Sequence, residues 1–170
     1  MIKTPRLKLR PFSLDDAEDL HQILYTPGVL QYYPSSDPPD LDRVQKLVQR
    51  QIEHWKEHDF GWWAVEPLSD HGLIGWSGLQ YLPETDEIEI GYLLSKDFWG
   101  KGLATESARA GIDYGFDQLG IAEIIGIVHP DHIASQRVLE KIGLKFQERS
   151  VYFGMDCFKY LVINPNSELI

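Results

Sequence analysis

The chain holds one cysteine in 170 residues, Cys157, so it can build neither an internal disulfide nor a cysteine metal site. No His/Asn pattern accompanies that thiol, which argues against a nucleophilic role. Basic residues are also scarce: 16 Lys and Arg face 26 Asp and Glu, for a formal net charge of −10. A general nucleic-acid binder carries a basic surface, so no nucleic-acid partner is expected, and the balance favours cationic partners such as amines or basic peptides. No apolar run is long enough to span a bilayer. Met1-Ile2-Lys3-Thr4-Pro5-Arg6 leads straight into a strand pattern and not into a signal peptide, so a cytoplasmic protein without a membrane partner is expected. His54, His58 and His71 do not form, with a carboxylate, a pair at metal-ligand spacing, and no metal is expected. No Gly-Lys-Ser or Gly-Lys-Thr string occurs, which disfavours a nucleotide-binding P-loop. Repeats, low-complexity tracts and interdomain linkers are missing too. With 43% hydrophobic and 25% charged residues, residues 1–170 read as one globular domain with a proper core.

What is present is a clear alternation of periods. Arg6 to Phe12 alternates polar and apolar, as a half-buried strand does. Ser13 stands as N-cap of a helix with the stripe Leu14, Ala17, Leu20 and Leu24, stopped near Thr26-Pro27-Gly28. Gln31 to Asp40 is a loop, dense in Pro and Ser, that opens on Tyr32 and Tyr33. Asp40 caps a second helix with the stripe Leu41, Val44, Val48, Ile52 and Trp55. Three strand-like runs follow, Gly61 to Glu66, Leu73 to Tyr81 and Glu87 to Leu94, joined by hairpin-type turns at Asp70-His71-Gly72 and Pro83 to Asp86. Ala104, Ala108, Ile112, Phe116 and Leu119 mark a third helix, Ala122 to Val128 a β-branched strand, and Ile133 to Ile142 a fourth helix ended by Gly143. Two strands close the chain, near Lys145 to Phe153 and Cys157 to Ile163. Consecutive strands with short turns predict an antiparallel meander, and the crossover helix after Leu94 predicts one parallel pair in a mixed sheet.

The most informative stretch is Phe98-Trp99-Gly100-Lys101-Gly102-Leu103-Ala104-Thr105-Glu106. Strand, glycine turn, helix is a geometry that offers free backbone N–H groups to an anion. Gly100 and Gly102 can take positive φ and admit a phosphate closely; the alternative is that they only make a tight turn. Lys101, between them, either meets a phosphate or is solvated.

These residues resemble the GNAT acyl-CoA N-acyltransferase superfamily, and within it the branch of ribosomal-protein N-terminal acetyltransferases (RimJ/RimL-like). That branch writes its pyrophosphate loop as Trp-Gly-Lys/Gln-Gly-x-Ala-Thr-Glu, and the string stands intact from Trp99 to Glu106. Glu89-Ile90-Gly91-Tyr92 matches its Glu-Ile-Gly-Tyr strand, Thr4 to Phe12 its opening strand, and Ala134 to Gly143 its later helix. The resemblance implies an α/β fold of the α+β kind: a mixed, mostly antiparallel central sheet of about seven strands flanked by about four helices. It implies acetyl-CoA as donor and co-substrate, with the pyrophosphate on the amides of Trp99, Gly100, Lys101, Gly102, Leu103, Ala104 and Thr105. The pantetheine arm would pair with Leu93, Leu94 and Ser95, because its amides need partners and a strand end offers them.

Two departures bear on the chemistry. The family's Asn at the start of the later helix is His132, which either donates to the cofactor or caps the helix. The tyrosine that many members use to protonate the leaving thiolate is replaced by Leu139, which holds no proton. The RimJ/RimL branch uses Ser135 near the sulfur instead, and a hydroxyl there can hydrogen-bond a developing thiolate; the alternative is a first-turn serine bonded to backbone. A general base is needed because an ammonium cannot attack a thioester. Glu89 is the first candidate, and Glu87, on the same face, the second. Tyr32 or Tyr33 from the loop, and one of the adjacent Trp62 and Trp63, are candidates to line an acceptor pocket. The function expected is direct acetyl transfer to a primary amine, on a small molecule (a polyamine, an amino acid or an antibiotic) or at a protein N-terminus, by a monomer or homodimer. The alternative is a non-catalytic CoA-binding sensor or interaction protein.

Overall fold

A computed structural model describes residues 1–69 and 72–167. In chain order the elements are β1 (Ile2–Lys3), β2 (Leu7–Pro11), α1 (Ala17–Tyr25), α2 (Leu41–His58), β3 (Trp62–Pro67), β4 (Gly75–Leu82), β5 (Glu87–Leu94), α3 (Leu103–Asp117), β6 (Glu123–Val128), α4 (Ile133–Lys141), β7 (Lys145–Tyr152) and β8 (Met155–Ile163). The strands form one sheet in the order β1-β2-β3-β4-β5-β6-β8-β7. Every neighbouring pair is antiparallel except β5–β6. The expected mixed sheet with one parallel pair is therefore present, with eight strands where about seven were expected. The additional strand is β1, two residues long. It forms because Thr4 makes the turn, its N–H donating to the Leu7 carbonyl at 2.9 Å and its hydroxyl oxygen accepting the Leu7 N–H at 3.0 Å. A two-residue strand leaves too short a pattern for periodicity to register. The hairpin expected at Asp70-His71-Gly72 lies, for its first two residues, outside the described residues.

The helices cover the sheet's two faces. α1 and α2 lay Leu20, Ile23, Leu24, Val44 and Val48 on Ala64, Trp76 and Leu93. On the other face Ala108 and Ile112 of α3 and Leu139 of α4 meet Leu79, Ile90 and Ile124. Each such side chain, when fully buried, contributes about 1.5–3 kcal/mol relative to exposure. Leu14, assigned by spacing to the stripe of α1, is exposed. The first turn is a tighter 3-10 turn over Leu14–Asp16, held by a capping box between Ser13 and Asp16. The second helix starts as expected, with Asp40 accepting from the Arg43 N–H at 2.9 Å. His54 of α2 spends both ring nitrogens on the scaffold, Nδ1–H donating to the Phe60 carbonyl at 2.8 Å and Nε2 accepting the Tyr81 N–H at 3.2 Å.

Asp16 also anchors β2. Arg10 donates to both its oxygens, at 2.8 and 2.7 Å, and through Nε to Glu66 at 2.7 Å. Burial alone would raise the Asp16 carboxyl, but the hydrogen bonds from Arg10 and Ser13 and the charge of Arg10 hold it below its ordinary value. Asp16→Asn leaves the guanidinium half-paired in a largely buried site. It should cost roughly 2–3 kcal/mol in urea unfolding at neutral pH. The difference should shrink as pH falls through the Asp16 pKa, where the wild type loses the same charge.

Candidate active site

The site begins with a gap in the sheet. β5 and β6 are in register only at Glu89–Ile125. On its other side β5 pairs with β4 without interruption from Leu82–Glu87 to Gly75–Leu94. The Ser95 N–H donates to the Ile74 carbonyl at 2.7 Å, which sets the phase of that ladder. By antiparallel alternation Leu93 bonds to β4, while Tyr92 and Leu94 turn their peptide groups toward the gap. Of the three residues expected to pair with pantetheine, Leu94 alone is turned correctly. The N–H of Ser95 is already used, a correction to its expected role. The Leu94 carbonyl accepts the Trp99 indole N–H at 2.7 Å, so its N–H is the group left to face the gap.

The glycine turn lies just beyond. Gly100 and Gly102 hold φ of +73° and +74°, and α3 starts at Leu103 with Gly102 as N-cap. The N–H groups of Leu103, Ala104 and Thr105 have no carbonyl one helical turn back, and the first helical bond of this end is Glu106 N–H to the Gly102 carbonyl at 3.0 Å. A Cβ on Gly100 would meet nothing within 4 Å, so the turn is open on that side. The Lys101 ammonium lies 5.1 Å from the Phe98 ring centre. Trp99, though half-exposed, is fixed through its indole bond. These residues fit a diphosphate: converging amides, the positive end of a helix and open space.

On the α1/α2 face, Glu89 is half-buried at the closed end of the gap. Burial and the charge of Glu87 push its carboxyl up to about 8. Glu87, two residues along the same face, behaves oppositely. Its oxygens accept from the Tyr152 hydroxyl at 2.6 Å and from the Lys159 ammonium. Burial would raise it, but those partners hold it low. Glu87 is thus a fixed charge with both oxygens occupied, a correction to its expected role as second base. It lines a separate cavity of about 290 Å³ with Ile125 and Lys159. Next to Glu89, Gly91 lies under Trp76, whose ring is 3.0 Å from where a Cβ would stand. Trp62 stacks on Trp76 at 3.7 Å, so Trp62 belongs to an aromatic wall on the Glu89 face, and Trp63 points into the opposite core. Tyr33, from the loop, is exposed as a residue, and the desolvation of its hydroxyl, with the charge of Glu89, raises its pKa.

On the α3/α4 face, Tyr92 donates its hydroxyl to the Ser135 carbonyl at 3.1 Å and lies 2.9 Å from the Ser135 hydroxyl. Burial raises the Tyr92 hydroxyl above its ordinary value, so it keeps its proton. Tyr92 was read only as part of a matching string. Strand alternation, which sets it opposite to Glu89 and toward α4, was the signal that could have singled it out. His132 caps α4, with Nδ1 accepting the Ser135 N–H at 3.3 Å. Burial and His129 lower its pKa, so the ring is neutral with its proton on Nε2. Tyr32 stacks on it at 4.4 Å, which carries the Tyr32–Tyr33 loop to the start of α4. Leu139 is core. Thr4 and Arg6 meet Glu106, and Arg6 bonds the Lys101 carbonyl of the glycine turn, contacts that no local pattern pointed to.

The chain is similar to known acetyltransferases. The family model described as an acetyltransferase (GNAT) domain matches residues 6–145. The chain is 30% identical over 152 residues to the uncharacterized N-acetyltransferase YoaA of Bacillus subtilis (strain 168), covering 89% of this chain and 85% of that one. It is 25% identical over 142 residues to the spermidine N(1)-acetyltransferase of Escherichia coli (strain K12), covering 83% and 74%. The crystal structure of a GNAT-family acetyltransferase from Bacillus anthracis superposes with a TM-score of 0.81 at 24% identity, covering 96% of this chain and 98% of that one.

A raised carboxyl pKa predicts its own stability signature. The stability that a protonated Glu89 allows is fully present below its unfolded pKa and is lost as pH rises through about 8. Relative to wild type, Glu89→Gln should therefore melt at a progressively higher temperature between pH 5 and pH 9. Thermal denaturation across that range checks this, and a pH-independent difference would show that Glu89 ionises at an ordinary value.

Proposed function

The chain belongs to the GNAT acetyltransferase family, and from that premise we propose that it transfers an acetyl group from acetyl-CoA directly to a primary amine, with Glu89 and Ser135 as its chemical groups. The observation that carries this reading is the placement of two complementary groups around one gap. A carboxyl shifted to about 8 stands on one face of the sheet, and a hydroxyl backed by a buried tyrosine on the other. Acetyl-CoA, when bound, supplies the activated thioester. The residues of this chain do the rest. The amides from Trp99 to Thr105 hold the diphosphate, and the Leu94 N–H faces the pantetheine amides. Glu89 accepts a proton from the incoming ammonium at a carboxylate oxygen, in a recess whose aromatic wall and nearby negative charge suit a cation. The Ser135 hydroxyl, with Tyr92 behind it, gives its proton to the departing sulfur and regains one from the amine nitrogen, which loses a second proton as it becomes an amide. Ser135 meets the need for a donor that Leu139 leaves open, and Tyr92, whose own proton lies on the Ser135 carbonyl, fixes it in place. His132 orients Ser135 as a cap and reaches the cofactor, if at all, through Nε2–H.

The acceptor is proposed as a class: amines that arrive as cations, whether polyamine, amino acid, antibiotic amine or protein N-terminus. Support comes from the carboxylate and aromatic lining and the net charge of −10, and a spermidine acetyltransferase stands among the relatives. Placement in the RimJ/RimL-like branch rests on the strings at Thr4–Phe12, Glu89–Tyr92, Trp99–Glu106 and Ala134–Gly143.

Turnover with a panel of amines, read as free thiol release, tests the proposal; CoA binding with no turnover on any amine would favour a sensor. Gly102→Val forces a β-branched residue to φ near +74°. It should weaken CoA binding at least roughly 10-fold by calorimetry in a variant that still melts cooperatively. Ser135→Ala should lower kcat roughly 10-fold with little change in CoA affinity. In the pH profile of kcat/KM, the wild-type rate should rise through about pH 8 as Glu89 ionises, and Glu89→Gln should lose that limb.

A further inference from the structure

Two strings far apart in the chain meet behind the glycine turn. Glu106, in the first turn of α3, accepts the Thr4 hydroxyl at 2.6 Å and the Arg6 backbone N–H at 2.9 Å through Oε1. Its Oε2 accepts the Arg6 Nε–H at 2.6 Å. Arg6 then donates Nη1–H to the Lys101 carbonyl at 2.8 Å. Lys101 is the residue between the two glycines that hold positive φ. The Glu106 side chain is only 14% exposed and that of Arg6 52%. Acetyl transfer as described above uses none of these four bonds.

We propose that Thr4, Arg6 and Glu106 form a clamp that holds the diphosphate-facing turn in its binding shape, so that CoA affinity is set in part by residues at the far edge of the sheet. The inference rests on the acetyl-CoA reading of the turn. Two physical arguments carry it. A backbone with glycine on both sides of one residue has many conformations of similar energy, and its amides converge on an anion in few of them. Unless something else orders the turn, the ordering entropy falls on ligand binding. The Arg6 fork orders it, by tying the middle carbonyl to a residue held on Glu106 at two points, its backbone N–H and its Nε–H. The second argument is charge. An unneutralised carboxylate at Glu106 would oppose the phosphates at the positive end of α3. Burial would raise the Glu106 pKa, but the bonds from Thr4 and Arg6 lower it, so it stays ionised. Arg6 supplies the compensating charge. Both residues act on the turn and are positioning residues, not ligands of the phosphate.

The test is CoA binding by calorimetry, with KM for acetyl-CoA and kcat alongside, in wild type, Arg6→Ala, Arg6→Lys, Glu106→Gln, the Arg6→Ala/Glu106→Gln double variant and the milder Thr4→Val. Arg6→Ala, which loosens the turn and bares the Glu106 charge, should weaken CoA binding roughly 10-fold, and Glu106→Gln, which loosens the turn but removes that charge, should weaken it by less, with kcat at saturating acetyl-CoA within about twofold of wild type in both. The double variant should be no weaker than the worse single one, because both break one device. Arg6→Lys keeps the charge but not the fork and should behave like Glu106→Gln. Thr4→Val, which removes no charge but takes away the Glu106 bond together with the hydroxyl's bonds to Leu7 in the β1–β2 turn, should cost a few-fold and covers the case in which a charge variant does not fold. Unchanged affinity in the folded variants, additive losses in the double variant, or wild-type affinity in Arg6→Lys would each overturn the clamp while leaving the turn as the CoA site. A wild type that does not bind CoA would overturn the reading of the turn itself.

Discussion

Two parallel strands that share one register position, Glu89–Ile125, are the constraint on which the site depends. Inside a sheet, backbone groups need partners, and a strand that loses its neighbour leaves a row of N–H and C=O groups unsatisfied on one side. β5 keeps its full ladder with β4 and loses the ladder with β6 toward its C-terminal end. The crossover that makes β5 and β6 parallel is also what puts α3, and hence the glycine turn, at the mouth of that gap. Gap and anion-binding turn are thus two consequences of one connection.

The same strand separates two carboxylates by environment. Glu87 and Glu89 lie on one face two residues apart, yet their pKa values move in opposite directions. Glu87 has a cation and a phenol for partners; Glu89 has burial and the charge of Glu87. One becomes a permanent anion, and the other a group able to exchange a proton near neutral pH. Lys159, on β8, holds Glu87 as the anion, so a strand two places from β5 in the sheet tunes the proposed base.

On the opposite face, the position that many family members fill with a proton-bearing tyrosine is Leu139, packed into the core. The hydroxyl pair Tyr92–Ser135 stands one helical turn nearer the start of α4. Tyr92 enters from β5, the strand that also carries Glu89 and Leu94, so a single strand contributes to the proposed proton acceptor, the proposed proton donor and the backbone contact.

The helices and most strands were legible because their signals are local: apolar spacing of three and four, alternation of two, caps at Asp40 and Ser13, and glycines flanking Lys101. The glycine turn was legible for the same reason, since positive φ and a helix start depend on a few neighbouring residues. β1 was too short to carry a period, and Leu14 was drawn out of its stripe by the Asp16 capping box. The sequence by itself determined the alternating elements, the phosphate-type turn and which face each strand residue takes. Only the tertiary structure decided that Glu87 is paired with Lys159 and Glu89 is not, that Tyr92 meets Ser135, and that Arg6 and Thr4 meet Glu106. Those outcomes rest on contacts between residues from 43 to 102 positions apart, and no local pattern specifies which distant groups the sheet order will bring within hydrogen-bonding distance.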